Sequence, residues 1–170
     1  PMRPITINAG MTMRGWYDIV GMNLTDRADK EGILHSQSLI EEAIARQIEQ
    51  GYQPHQILLA GFSQGGAMAL HTGLHSSLQL GGIISLSAYL PLPDESKPLL
   101  GKNTPIFLGS GQFDPIVLPT WTQLTQQWLI KHTYQAITWH QYPMEHSICM
   151  DEVHDLARWL TSNFINGDSL

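Results

Sequence analysis

The stretch Ile57-Leu58-Leu59-Ala60-Gly61-Phe62-Ser63-Gln64-Gly65 constrains the fold of this chain more than any other segment. Four apolar residues run straight into a Gly-x-Ser-x-Gly pattern, and Gly66-Ala67-Met68-Ala69-Leu70 continues with residues that suit a helix. A strand, a sharp turn and a helix in that order lift the serine hydroxyl above the carboxyl edge of a sheet, where a base can reach it. A side chain at either flanking glycine is expected to collide with neighbouring backbone. The first amides of the helix then point at the space where an oxyanion forms, so the Gln64 backbone N–H is a candidate donor. No lysine follows the glycines, which argues against a phosphate-binding loop.

From Gln56 onward, short apolar runs alternate with amphipathic segments, the order of a parallel sheet covered by helices. Strands are expected at 57–60, 82–86, 105–109 and 136–140, and the fold class is α/β. Ile33, Leu34, Ile40, Ala43, Ile44 and Ile48 recur at helical spacing before Gly51, which is placed to end that helix. Further helices are expected from Gln64 to about residue 74, through Leu118, Trp121, Leu124, Trp128 and Leu129, and through Val153, Leu156, Ala157, Leu160 and Phe164. Residues 1–32, with Gly10, Gly15 and Gly21, read as an irregular surface excursion, and 91–105 as a long loop of the kind that carries binding function. At 170 residues and 42% apolar content the chain fits one domain with one core.

A serine hydroxyl needs a base to take its proton and a group to orient that base. Of eight histidines, His146 is the best placed, on a loop between the strand ending near Tyr142-Pro143 and the helix beginning near Asp151. That is the same sheet edge as Ser63. Asp114 follows the strand at 105–109, with Pro115 fixing the turn after it. Ser63, Asp114 and His146 thus each follow a different strand, in the nucleophile, acid, base order. Asp94, in a Pro-rich loop, is the competing acid. His71 and His75 lie four apart on one helix but lack the glutamate of His-Glu-x-x-His, so they read as structural and no metal site is expected. Leu90, Ile116, Val117 and Met144, on loops around this edge, are candidates to line an acyl site.

Nine Lys and Arg against fifteen Asp and Glu give a net charge of −6 with no basic cluster, which argues against nucleic acid as a partner. The single Cys149 rules out an internal disulfide framework and fits a reducing, cytoplasmic compartment. No apolar run is long enough to span a bilayer.

Ile5-Thr6-Ile7-Asn8, Gly15-Trp16-Tyr17-Asp18, Gly61 to Gly66, Ser87-Ala88-Tyr89-Leu90-Pro91, Gly111 to Val117 and Tyr142 to Ser147 occur in the order found in the phospholipase/carboxylesterase family, which includes the acyl-protein thioesterases. The chain resembles that family from end to end. The resemblance implies an α/β-hydrolase fold and a serine esterase acting on carboxylic esters of short to medium acyl chains. Fatty acyl thioesters on protein cysteines and lysophospholipids are the alternative substrates, and neither metal nor organic cofactor is implied. A rival of another class is a catalytically silent hydrolase scaffold that binds a partner.

Two departures from the family pattern stand out. Glu145 occupies the place where many relatives have glycine before the histidine. The family also begins with strands and a His-Gly-rich loop that supplies a second oxyanion donor, and 1–170 starts after them. The expectation is therefore an N-terminally truncated domain in which strand 57–60 exposes an apolar edge, with a homodimer as the alternative way of covering it.

Overall fold

The computed structural model describes residues 1–95 and 97–165. Its centre is a four-stranded parallel sheet in the order β3 (Leu58–Phe62), β4 (Gly82–Leu86), β5 (Ile106–Gly111) and β6 (Ile137–Tyr142). Strands β4 and β5 lie inside the sheet and every one of their residues is buried, which is why their sequences are continuous apolar and small runs without alternation. β3 and β6 are the edges, and their residues are largely half-exposed or exposed.

Helices α1 (Lys30–Glu49), α2 (Gln64–His75) and α3 (Pro119–Lys131) serve one face of the sheet. There Ile44, Leu70, Leu74, Ile83, Ile106, Leu108 and Leu129 form the largest core cluster. α2 is buried from Gly66 to Leu74 because α1 covers the side that does not meet the sheet. Helix α4 (Met150–Leu160) packs on the opposite face, joining Trp159 to Ile84, Leu86 and Phe107. Full burial of a side chain such as Phe107 or Ile106 stabilises the fold by roughly 2 kcal/mol relative to exposure. The result is a three-layer α/β domain whose strands point their carboxyl ends at one edge.

The helix boundaries follow local chemistry. The Asp29 side chain accepts from Gly32 N–H at 3.0 Å and starts α1, and Gly51, at φ +101°, follows its end. Pro119 occupies the first turn of α3, where no N–H is needed.

Residues 1–32 are more ordered than their composition suggests. Strands β1 (Met2–Ile5) and β2 (Met11–Arg14) form an antiparallel hairpin, turned by Ala9 and Gly10 at positive φ. Its tip is solvent-facing, yet the segment that follows is anchored in the core. Tyr17 is completely buried and its hydroxyl meets that of Tyr89 at 2.7 Å. The described residues of the long loop 91–105 are irregular apart from a 3-10 turn at Pro93–Glu95, and Asp94 is exposed. Among the described residues no helix is long and apolar enough to cross a membrane.

Candidate active site

Ser63 sits between β3 and α2 with φ 55° and ψ −124°, a conformation that costs a residue with a side chain on the order of 1–3 kcal/mol. The surrounding structure imposes it. Ser63 N–H donates to Leu86 O at 2.8 Å, and Ser63 O accepts from Ala67 N–H at 3.0 Å, closing the first turn of α2. The crossing of strand and helix is tight at Gly61 and Gly66. A Cβ on Gly61 would fall against the Gly65 backbone and 2.5 Å from Gly66 N, and one on Gly66 would lie 2.8 Å from Ala88 Cβ. Gly65 differs from the sequence expectation, because a Cβ there would meet nothing closer than Trp16 Nε1 at 3.7 Å. Of the two motif glycines, only Gly61 is fixed by crowding.

The structure brings Ser63, His146 and Asp114 together although they end different strands. His146 Nε2 lies 2.9 Å from Ser63 Oγ, and His146 Nδ1 lies 2.7 Å from Asp114 Oδ2. The Asp114 side chain is fully buried and its two oxygens have separate tasks. Oδ1 accepts from Ile116 N–H at 2.8 Å and Val117 N–H at 2.9 Å, which leaves Oδ2 to the imidazole. A carboxylate is an acceptor only, so Nδ1 carries the ring proton and Nε2 presents a lone pair to the serine hydroxyl. The Phe62 ring lies 4.7 Å from the imidazole, centroid to centroid, on the side of β3.

His146 reaches Ser63 from the far edge of the sheet. Strands are about 4.8 Å apart, so β6 is roughly 14 Å from β3, and the loop after β6 has to double back over β5. It crosses at Gly111, where an added Cβ would lie 2.5 Å from Met144 O and also against Glu145 O. Phe113 N–H donates to Met144 O at 3.1 Å and Gln112 N–H to Tyr142 O at 2.8 Å, tying the two loops at that crossing. Glu145 itself is exposed.

Gln64 contributes more than its backbone. As the first residue of α2 its N–H has no intrahelical acceptor and lies beside Ser63. Its side chain accepts from Trp16 N–H at 2.7 Å and donates to Tyr17 O at 2.7 Å, clamping the segment after β2 to the turn. Pairing over 48 residues leaves no local sequence signal. A cavity of about 560 Å³ opens over Ser63, lined by Met2, Arg14, Gly15, Trp16, Phe62 and Gln64 among others. Of the four residues expected to line it, Leu90 and Val117 are buried in core clusters, Met144 is buried and Ile116 is exposed. A larger cavity of about 770 Å³ opens at the amino ends of the strands, around Lys102 and Asn103, away from this chemistry.

Other titratable groups are structural. His71 is buried, its Nε2 3.0 Å from Gln37 Oε1, and burial followed by the nearby His75 pushes its pKa down to about 4. Glu152 is fully buried in the first turn of α4, with no hydrogen-bond partner for either oxygen among the described residues; Oε1 lies close against Gly109. Burial pushes its pKa up to about 7. Cys149 occupies the N-cap of α4 and is half-buried. No three His, Cys, Asp or Glu side chains among the described residues are grouped to hold a metal.

A family model described as phospholipase/carboxylesterase matches residues 1–164. The chain is 34% identical over 169 residues to acyl-protein thioesterase 1 of Yarrowia lipolytica, covering 96% of this chain and 74% of that protein. It is 39% identical over 172 residues to acyl-protein thioesterase 1 of Neurospora crassa, covering 95% and 70%. Among solved structures, Arabidopsis thaliana SOBER1 superposes with a TM-score of 0.87 at 28% identity, covering 96% of this chain and 80% of that one. Zea mays acyl-protein thioesterase 2 gives 0.81 at 22% identity, covering 96% and 79%, a likeness of fold.

Proposed function

The chain belongs to the phospholipase/carboxylesterase family of α/β-hydrolases and is a serine hydrolase acting on ester bonds; from that premise we propose that Ser63, His146 and Asp114 are its catalytic triad and that it hydrolyses carboxylic esters of short to medium acyl chains. The observation that carries this reading is the unbroken hydrogen-bond path from Ser63 Oγ through the imidazole to a buried carboxylate. His146 Nε2 takes the hydroxyl proton as Ser63 Oγ attacks the acyl carbon, and Asp114 holds the imidazolium that results. The oxyanion accepts from the Gln64 N–H. The tetrahedral intermediate collapses, the alcohol or thiol leaves with the proton from Nε2, and an acyl-serine remains. Water then attacks that ester with His146 as base, releasing the carboxylic acid and restoring Ser63. Trp16 and Phe62 form the apolar wall against which an acyl chain lies.

The names of the fungal relatives favour a second reading, in which the acyl group is carried on a protein cysteine. The same residues cleave a thioester. A fluorophosphonate probe tests the chemistry, with covalent labelling of the wild type and none of Ser63→Ala expected. Equal labelling of both, or ester hydrolysis undiminished in Ser63→Ala, refutes the triad, and an unlabelled wild type supports a silent scaffold. A panel of p-nitrophenyl esters of rising chain length, a lysophospholipid and an S-acyl peptide then ranks the substrates.

A further inference from the structure

Arg27 ends the 3-10 turn Leu24–Arg27 and is 5% exposed, yet among the described residues it pairs with no carboxylate. A buried cation without an anion is costly, so the fold is expected to use it. The titratable groups packed beside it are Tyr17 and Tyr89, whose pKa values burial raises, so both phenols stay neutral and neither supplies a counter-charge. The guanidinium instead lies over the Trp121 ring, 5.1 Å from its centroid, and Nη2 donates to Ile116 O at 3.1 Å. Nε has no partner among the described residues.

Ile116 is the residue through which this contact reaches the site. Its N–H, with that of Val117, is bound by Asp114 Oδ1. The loop after β5 is thus held on one side by its own acid and on the other by a cation from the segment before α1, 89 residues away. The Ile116 and Val117 N–H groups face inward to Asp114, and the Ile116 carbonyl, in the same peptide as the Val117 N–H, faces Arg27, so the orientation of the Asp114 carboxylate depends on where Arg27 holds that peptide. Asp114 Oδ2 passes that orientation to His146 Nδ1.

We propose that Arg27 is a positioning residue for ester hydrolysis, one that fixes the Asp114–His146 hydrogen bond by holding the Ile116 carbonyl. That role rests on Ser63, His146 and Asp114 being the triad. Arg27 touches no reacting atom. Its effect falls on the rate of the chemical step, because misplacing a base by a fraction of an ångström affects turnover more than binding. Substrate affinity is set elsewhere, on the cavity wall formed by Trp16 and Phe62.

Arg27→Met keeps an unbranched side chain against Trp121 and removes the donor, while Arg27→Lys keeps a cation that can donate to a carbonyl. Three readouts are taken on each variant and the wild type: kcat and KM for a p-nitrophenyl ester, thermal stability, and the low-field proton resonance of the His146 Nδ1–H. Arg27→Met is expected to lower kcat about ten- to a hundredfold with KM changed less than about threefold. The resonance broadens or disappears, and Arg27→Lys restores part of both. Unchanged kcat and resonance in Arg27→Met, or a loss in both variants that only follows their melting temperatures, overturns the assignment. If Arg27→Met does not fold, Arg27→Lys is read alone, and a fall in kcat that only tracks its melting temperature, with an unchanged resonance, overturns the assignment. A wild type that hydrolyses no ester refutes the triad reading instead, and the resonance, which needs no turnover, still decides whether Arg27 holds the Asp114–His146 bond.

Discussion

Replacing Glu152 by glutamine is expected to change how the stability of this protein depends on pH. The carboxyl is fully buried against Gly109, it acts on the Tyr142 hydroxyl together with Asp155 and Cys149, and among the described residues no cation pairs with it. Burial raises its pKa from the ordinary 4.5 to about 7, so the folded chain keeps the proton over a range in which the unfolded chain releases it. In that range the unfolded state binds fewer protons, and stability therefore falls as pH rises. The contribution is complete below about pH 4.5 and lost as pH passes about 7. At roughly 1.4 kcal/mol per pH unit, the whole effect is about 3 kcal/mol, most of which falls between pH 5 and pH 8. For a chain of this length that corresponds to a melting-temperature change of roughly 5–10 °C. Glutamine has the same shape and no proton to lose. Urea unfolding of both proteins at pH 5 and pH 8 gives the difference, since every other titrating group is common to the pair and cancels. The variant is expected to gain about 2–3 kcal/mol on the wild type between the two pH values. Stability curves that run parallel from pH 5 to pH 8 would refute the reasoning.

Asp114→Asn is expected to lower kcat by about 10⁴-fold with little loss of stability, because an amide oxygen can still accept from Ile116 and Val117 while the amide nitrogen donates to His146 and imposes the wrong tautomer. A p-nitrophenyl ester assay beside thermal melting checks it, and a loss under tenfold counts against the assigned role. The two glycines of the Ser63 motif are expected to respond oppositely to alanine. Gly61→Ala meets backbone of the first turn of α2 and costs several kcal/mol, whereas Gly65→Ala enters open space at a helical position and stays within about 1 kcal/mol of the wild type. Thermal melts of the two variants side by side decide the point.

The sheet and its helices were legible because burial writes itself into residue type. β4 and β5 are buried on both faces and read as continuous runs of apolar and small residues, and α1 carries its isoleucines on one face. The juxtaposition of Ser63, Asp114 and His146 was legible for a different reason, since a parallel sheet delivers the ends of all its strands to one edge. The hairpin β1–β2 was not legible. Met2–Ile5 contains a proline, and the alternation in Met11-Thr12-Met13-Arg14 covers only four residues that are exposed on both faces, too short a run to mark a strand. Loop orientation was equally hidden. Leu90 and Val117 sit at the right places along the chain for an acyl site, but the Leu90 N–H is drawn to Thr125 Oγ1 at 2.8 Å and Val117 packs with Trp121, which turns both side chains inward. The wall beside Ser63 comes instead from Trp16, brought there by the Gln64 side chain from 48 residues away.

The crossing at Gly111 sets a limit on how this site can be altered. The loop that carries His146 is a cantilever rooted at the edge strand β6, and its fulcrum is a residue with no side chain. Any larger residue there lifts the arm and carries the imidazole away from Ser63, without touching either. The opposite wall, with Trp16 and Phe62, bears no such mechanical duty toward Asp114. Changes to acyl preference can be sought on the hairpin side of the nucleophile, while the β5–β6 side has to keep its geometry for any substrate to react.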